Sequence, residues 1–376
     1  MGWQWIVLIL IILIVLVVAL LTKPVQTGLR ATALLIDLGV SYKWKTNAIP
    51  RSIAISEVIY PCGNRDIVAN LYCPNDQGRH PSIILAHGAV EGGKDDPALK
   101  LAGPSLARAG YITLVPQLDN LAKFRLHQDD VEALVASFQY LSEQEFSNKK
   151  VGLVGVCLSA PLVLLAATEP SISNDISVIG YWGGYYNINE WLGAVITGHY
   201  FDEDEAKPWK PRIVLTEELP KWLIELMPDS SDKSYLEKMM RGDSVDFARS
   251  DLSPAGQALY EMLTSRDPAR ARDLWAKLDP EIQQTLDGLS PHLKADQLQT
   301  KIAIIHTYTD DVIPWVESQK LAETIKEENK LYYKIFHEFY HVRVEDLLKL
   351  RISNLQNTIS EAAQFYLFIY HILYQL

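Results

Sequence analysis

The chain has 376 residues, of which 46 are acidic and 35 basic, giving a net charge of −11. This balance, without a cluster of Lys or Arg, argues against nucleic acid as a partner. Three cysteines, at positions 62, 73 and 157, do not suggest a disulfide framework. The length exceeds the usual size of one core domain, which predicts one large domain with an insertion or two modest domains.

The N-terminal segment carries sixteen consecutive apolar residues, from Ile6 to Leu21. As a helix, Trp3 to Leu21 would extend about 28 Å, close to the ~30 Å hydrocarbon core of a bilayer. The basic start and small-residue cleavage site of a signal peptide are absent. We therefore predict a single-pass transmembrane helix over residues 1–22, with the membrane lipid as a partner.

Residues 23–51 form a predicted linker or interfacial segment. The apolar stretch from Ala31 to Val40 is too short to cross a bilayer and contains Asp37. Lys23 and Arg30 follow the anchor, so the positive-inside rule favours a cytoplasmic location for the rest of the chain. A cysteine thiol is also easier to keep reduced in that compartment.

From residue 52 onward, strands alternate with helices, which predicts a mainly parallel sheet flanked by helices. A hairpin opens this part, and its register keeps Cys62 and Cys73 from facing each other. The predicted elements are a hairpin over Ile53 to Pro74, strands over Ser82 to Ala86 and Tyr111 to Pro116, and helices over Leu99 to Arg108 and Gln128 to Leu141.

The stretch from Val151 to Ala167 is an apolar strand followed at once by an apolar helix, with Gly155-Val-Cys157-Leu-Ser159 between them. This is the layout of a nucleophile elbow, a strained turn that holds a reactive side chain at a helix N-terminus. The helix dipole there favours a thiolate. The sequence therefore predicts Cys157 as a nucleophile.

Upstream, the strand ending at Ala86 leads into His87-Gly88-Ala89 and a glycine-rich loop. Such a loop can direct a backbone N–H at a developing oxyanion. We predict an oxyanion hole formed by the amides of Ala89 and Leu158.

Downstream of the elbow, residues 188–290 show helical periodicity and charge, with no strand of the sheet apparent. Helices are predicted from Glu217 to Met227, Asp232 to Met240, Pro254 to Leu263 and Ala269 to Leu278. We interpret 188–290 as a helical cap inserted into a core formed by 52–187 and 291–376. Trp191, Trp222 and Trp275 in this cap suggest an apolar acyl substrate.

Two further strands end in residues suited to acid–base chemistry. Asp310 follows an apolar strand beginning at Lys301, and His341 follows an aromatic strand beginning at Leu331. Asp310 is suited to orient a histidine, and His341 to act as the base. The chain order is then nucleophile, acid, histidine, as in α/β-hydrolases and unlike chymotrypsin or subtilisin.

On these residues the chain resembles the α/β-hydrolase superfamily, and its cysteine makes it similar to the dienelactone hydrolase family, whose elbow is Gly-x-Cys-x-Gly. Ser159 replaces the second glycine, and Gly88 falls where that family has an activating glutamate. The resemblance implies an α/β-hydrolase fold and cleavage of ester, lactone or thioester bonds in a small molecule. No metal or organic cofactor is implied.

Two alternatives remain open. His337-Glu338-Phe-Tyr-His341 is an H-E-x-x-H string, and Glu361 has the spacing of a third ligand in thermolysin-like zinc proteases. The aromatic and β-branched residues before His337 favour a strand over the helix that such a site requires. The second alternative is a hydrolase fold that binds a ligand without turnover.

Overall fold

The computed structural model describes residues 20–242, 249–337 and 355–376, together with Trp3, Trp5 and Val18. Its centre is an eight-stranded sheet with the strand order β1-β2-β4-β3-β5-β6-β9-β10. β1 and β2 pair antiparallel, β2 pairs antiparallel with β4, and the remaining pairs are parallel. The strands are β1 (Ile53–Cys62), β2 (Arg65–Pro74), β3 (His80–Ala86), β4 (Ile112–Pro116), β5 (Ser147–Val156), β6 (Ile176–Trp182), β9 (Ile302–Thr307) and β10 (Lys330–Phe336).

Helices cover both faces of this sheet. Those outside residues 188–290 are α1 (Lys23–Trp44), α2 (Pro97–Arg108), α3 (Gln128–Glu143), α4 (Ser159–Ala167), α11 (Val316–Thr324) and α12 (Leu355–Gln375). Side chains alternate along each strand, so Ile83 packs with α1, α2 and α12 while Ile84 packs with α3 and α4. Apolar burial on both faces explains why the central parallel strands contain apolar runs, such as Ile83 to Ala86 in β3 and Ile302 to Ile305 in β9.

The opening hairpin has the predicted extent and register. Cys73 pairs with Ala54 and Cys62 pairs with Arg65, so the two cysteines lie far apart along the hairpin. Cys62, Cys73 and Cys157 are all free thiols. The predictions of the hairpin and of these unpaired cysteines are therefore confirmed.

Residues 188–290, called the helical segment below, connect β6 to β9, which are direct neighbours in the sheet. The four predicted helices correspond to α6 to α9, with ends that differ by a few residues. A short antiparallel hairpin that the periodicity did not predict follows α5. The segment contains α5 (Ile188–Thr197), β7 (His199–Asp202), β8 (Glu205–Pro208), α6 (Ile213–Glu225), α7 (Ser230–Met240), α8 (Pro254–Thr264), α9 (Pro268–Trp275) and α10 (Pro280–Gly288).

Helix α1 is longer than the predicted interfacial stretch and packs on α2 and α12. Its one acidic residue, Asp37, is fully buried and receives hydrogen bonds of 2.8 and 2.5 Å from the Arg108 guanidinium. The other carboxylate oxygen accepts the amides of Ala48 and Ile49 at 2.7 and 3.0 Å. Burial raises the pKa of Asp37, but the bonds from Arg108 and Ile49 outweigh it and lower the pKa from its ordinary value.

The predicted anchor falls almost entirely on residues outside the described ranges and stays a prediction. Within those ranges, no helix combines the length and apolar character needed to cross a membrane.

We expect Asp37→Asn to lower the free energy of unfolding by about 3 kcal/mol, because it leaves the buried Arg108 without a counter-charge. Denaturant unfolding of the full chain in detergent measures the loss. The matched control is Glu327→Gln, which breaks the exposed 2.7 Å pair with Lys330 and should cost about 0.5 kcal/mol or less. Equal losses in the two variants would contradict the assignment.

The lowered pKa of Asp37 also determines how the stability difference between wild type and Asp37→Asn depends on pH. The stabilisation is present above the pKa that Asp37 has in the unfolded chain, and it disappears as the pH falls through the lower folded-state pKa. The difference between wild type and Asp37→Asn should therefore shrink in acid.

Candidate active site

Cys157 occupies the turn between β5 and α4, with a left-handed backbone at φ 59°. This region costs free energy for any residue with a Cβ and is found mainly where the surrounding structure enforces it. Cys157 N–H donates to Trp182 O at 2.8 Å, and Cys157 O accepts Ala160 N–H at 3.1 Å. The backbone is thus bonded on both sides of the turn, and the side chain is 8% exposed.

Gly155 and Ser159, each two residues from Cys157 in the chain, fit this turn for different reasons. A Cβ on Gly155 would lie 2.5 Å from Ala160 Cα, so only glycine fits there. The Ser159 hydroxyl accepts Val156 N–H at 2.9 Å and donates to Ala86 O at 3.1 Å. Ser159 therefore links the elbow to the end of β3, a bond that a second glycine could not make.

The amides predicted to form the oxyanion hole belong to neighbouring turns. A Cβ on Gly88 would lie 3.6 Å from Cys157 Cβ, so the turn after β3 lies against the cysteine. Within the described ranges, the N–H groups of Ala89 and Leu158 donate to no protein acceptor. The oxyanion hole formed by these two amides stays a prediction.

His87 holds the turn before Ala89. It is 1% exposed, its Nδ1–H donates to Gly88 O at 2.7 Å, and its Nε2 accepts Leu118 N–H at 3.0 Å. Burial lowers the pKa of His87, and accepting through Nε2 requires a neutral ring. This histidine therefore supports the loop and does not exchange protons with a substrate.

Asp310 lies in the loop after β9 and is 3% exposed. Its Oδ1 accepts Val312 N–H at 2.7 Å and Ile313 N–H at 3.1 Å, and its Oδ2 lies 3.6 Å from Nε2 of His306. His306 is itself held, because Nε2–H donates to Ile313 O at 3.0 Å and Nδ1 lies 2.7 Å from Ser318 Oγ. These bonds fix the direction of the carboxylate.

The sheet places Cys157 and Asp310 at the same edge, the carboxyl ends of the parallel strands. β6 separates β5 from β9, and neighbouring strands lie about 4.8 Å apart, so these two strands are about 10 Å apart. β10 is parallel to β9 and ends at Phe336 on this edge. His341 lies outside the described residues, and its placement beside Asp310 stays a prediction.

The residues of the zinc alternative are described only in part. β10 confirms the strand predicted before His337, whose ring packs on Tyr308 at 4.9 Å between centroids. The Glu361 carboxylate accepts the backbone N–H of His337 at 2.5 Å. In the ranges that the structure describes, no three His, Cys, Asp or Glu side chains form a metal cluster. Glu338 and His341 lie outside them.

The tryptophans of the helical segment are not placed as the sequence suggested. Trp191 is fully buried and stacks on Tyr185 at 5.0 Å, and Trp222 is 2% exposed in the core. These two rings pack against protein, so they give no evidence for an apolar substrate. Trp275 is partly buried against the same core.

Sequence reasoning did not name Trp209 or Arg212, and it gave Trp191 a different role, yet all three contact the loop of Asp310. Trp191, Trp209 and Arg212 all reach it from the helical segment. A hydrogen bond between residues about a hundred positions apart leaves no periodic pattern in the sequence. The only signal for these contacts is that tryptophan and arginine side chains are hydrogen-bond donors.

No protein-family model matches the chain, and no curated protein sequence matches it. Among solved structures it is similar to brefeldin A esterase, described as a bacterial homologue of human hormone sensitive lipase. The two are 13% identical over 90% of this chain and 86% of that one, with a TM-score of 0.50.

An esterase of Pyrobaculum calidifontis is 13% identical over 92% of this chain and 90% of its own, with a TM-score of 0.46. The acylaminoacyl peptidase of Pyrococcus horikoshii is 12% identical over 78% of this chain, with a TM-score of 0.46, and the match spans only 38% of the peptidase. Structural similarity at sequence identities of 12–13% is evidence for the fold alone. The chain has the α/β-hydrolase fold, a mostly parallel central sheet flanked by helices.

Proposed function

We propose that the chain is a hydrolase of ester-type bonds with Cys157 as nucleophile, His341 as base and Asp310 as the residue that orients His341. The observation that carries this proposal is the left-handed backbone of Cys157 between β5 and α4. Strain of this kind is retained where it serves a site. The backbone amides of Leu158 and Ala89, in the turns next to Cys157, support the same proposal.

The proposed reaction proceeds through an acyl-enzyme. His341 takes the proton of the Cys157 thiol, the thiolate attacks the carbonyl carbon, and the amides of Ala89 and Leu158 stabilise the oxyanion. The alcohol leaves with a proton from His341, which gives a thioester on Cys157. His341 then takes a proton from water, the hydroxide attacks the thioester, and the carboxylic acid leaves as the thiol is restored.

The substrate class is a small molecule with an ester, lactone or thioester carbonyl. The elbow resembles that of dienelactone hydrolases, which act on lactones, and brefeldin A esterase is a structurally similar protein whose name indicates an ester. We also propose that the helical segment caps the site, since it contacts the loop of Asp310. Hydrolysis of a panel of acyl esters, thioesters and lactones would identify the class.

We expect an electrophilic acylating probe to label Cys157 and not Cys62 or Cys73. Burial raises the pKa of Cys62 and raises that of Cys73 to about 11, so both thiols are mostly protonated near neutral pH. Mass spectrometry of the labelled full chain in detergent locates the adduct. Cys157→Ala should lose ester hydrolysis and Cys157→Ser should keep a small part of it. Cys73→Ala is the matched control, and full activity in Cys157→Ala would refute the nucleophile.

We expect His341→Ala to lower kcat/KM by about a hundredfold or more, the usual contribution of a general base, and His337→Ala to change it little. Chelators should leave hydrolysis intact, and thiol alkylation should abolish it. A zinc protease would instead contain stoichiometric zinc and lose activity equally in His337→Ala, His341→Ala and Glu361→Ala. A protein that only binds its ligand would show no turnover in any of these assays.

We also propose that residues 1–22 anchor the chain in a membrane, with the remainder on the cytoplasmic side. The apolar run and the exposed Leu20 and Leu21 support the anchor, and Lys23 and Arg30 after it support the cytoplasmic side.

We expect deletion of residues 1–21 to release the chain from the membrane and to keep ester hydrolysis, because α1 stays whole and bound through Asp37 to Arg108. Sedimentation with membranes and a soluble-ester assay measure the two effects. Retention on the membrane would mean that exposed residues of α1, such as Leu29 and Ile36, also bind lipid. Protease digestion of the domain from outside intact cells would contradict the cytoplasmic location.

A further inference from the structure

The loop that carries Asp310 is bound from outside the sheet by the helical segment. The Trp209 indole N–H donates to Asp310 O at 2.8 Å, and the Trp191 indole N–H donates to Val312 O at 2.8 Å. Between them, the Arg212 backbone N–H donates to Asp311 O at 2.7 Å. Three successive carbonyls of the loop are therefore satisfied by one segment.

The same contact has a charged part. The Arg212 guanidinium binds the Asp311 carboxylate through two bonds, of 2.7 and 3.2 Å. Both side chains are partly exposed, at 35% and 46%. Solvent screening makes such a pair a small contributor to overall stability, but its two-pronged geometry restricts the orientation of the loop.

The inner side of the loop is organised by Asp310 itself, whose carboxylate accepts the amides of Val312 and Ile313. The loop thus uses its amides to hold the carboxylate and its carbonyls to bind the helical segment. Buried backbone groups must all find partners. If the segment moved away, the carbonyls of residues 310–312 would exchange these three donors for water, and the loop would lose the bonds that hold the orientation of its carboxylate.

We infer that Trp191, Trp209 and Arg212 form a clamp by which the helical segment positions Asp310. They are positioning residues, because they act on the carboxylate through the loop backbone and do not touch the reacting atoms. The inference rests on the proposed function for its catalytic consequence. The segment is then a part of the active-site framework as well as its cover.

The chain offers a matched control for the charged contact. Arg125, in the loop after β4, binds Glu225 of α6 with bonds of 2.6 and 2.7 Å. It also joins the helical segment to the rest of the protein, but it does not contact the loop of Asp310. Arg125 also contacts Glu218 of α6 at 3.4 Å, so Arg125→Ala removes at least as much charge pairing as Arg212→Ala and leaves the bonds to the loop of Asp310 in place.

The test compares Arg212→Ala, Arg212→Lys, Trp209→Phe and Arg125→Ala in the full chain in detergent. With p-nitrophenyl acetate as probe, Arg212→Ala and Trp209→Phe should each lower kcat about tenfold and leave KM within about twofold, since a misplaced acid affects the reaction more than binding. Arg212→Lys should recover part of kcat. Arg125→Ala should stay within about twofold of wild type.

Hydrogen exchange of the Val312 and Ile313 amides is the second readout, and it needs no turnover. Exchange should be about tenfold faster in Arg212→Ala and Trp209→Phe, and unchanged in Arg125→Ala. If the wild type hydrolyses no ester, the proposed function fails, and hydrogen exchange of the Val312 and Ile313 amides alone tests whether the clamp holds the loop. Unchanged exchange in the first two variants, or faster exchange with an unchanged kcat in an active enzyme, would overturn the inference.

Discussion

The left-handed backbone of Cys157 is the constraint on which the arrangement at the carboxyl edge of the sheet depends. A residue with a Cβ in this region costs about 1 to 3 kcal/mol, so its neighbours must enforce it. β3, β5 and β6 all take part, through the Ser159 hydroxyl, the absence of a Cβ at Gly155 and the bond from Cys157 N–H to Trp182 O. Helix α4 is buried at every residue, which opposes relaxation of the turn.

The local sequence could predict the elbow and the opening hairpin because each of them is determined by residues that are close together in the chain. An apolar strand, small residues and an apolar helix in succession leave few alternatives to the elbow, and period-two alternation with a polar turn determines the hairpin from Ile53 to Pro74. Parallel topology then brings the turns after β3, β5 and β9 to one edge. The predicted parallel sheet and the three predicted turns therefore needed no knowledge of any long-range contact.

The features that could not be predicted depend on partners distant in the chain. Asp37 interrupts an apolar stretch and suggested an interfacial helix, yet it is buried because Arg108 pairs with it. Trp191 suggested a substrate contact, yet its ring stacks on Tyr185 and its N–H binds the loop of Asp310. In both cases the residue type allows two roles, and only the tertiary partner decides between them. The hairpin β7–β8 has four residues in each strand and none of them is buried, so it left no alternation to detect.

The helical segment is continuous with the body of the protein. Leu219 and Trp222 of α6 and Leu259 of α8 belong to the same hydrophobic cluster as Ile84 of β3 and Leu162 of α4. Displacing the segment as a rigid body would expose this apolar surface, at about 25 cal/mol for each Å², and would also break the bonds to the loop of Asp310. Both free-energy costs oppose a cap that opens and closes as a rigid body. They favour a segment whose contacts with the acid loop stay in place while the reaction proceeds.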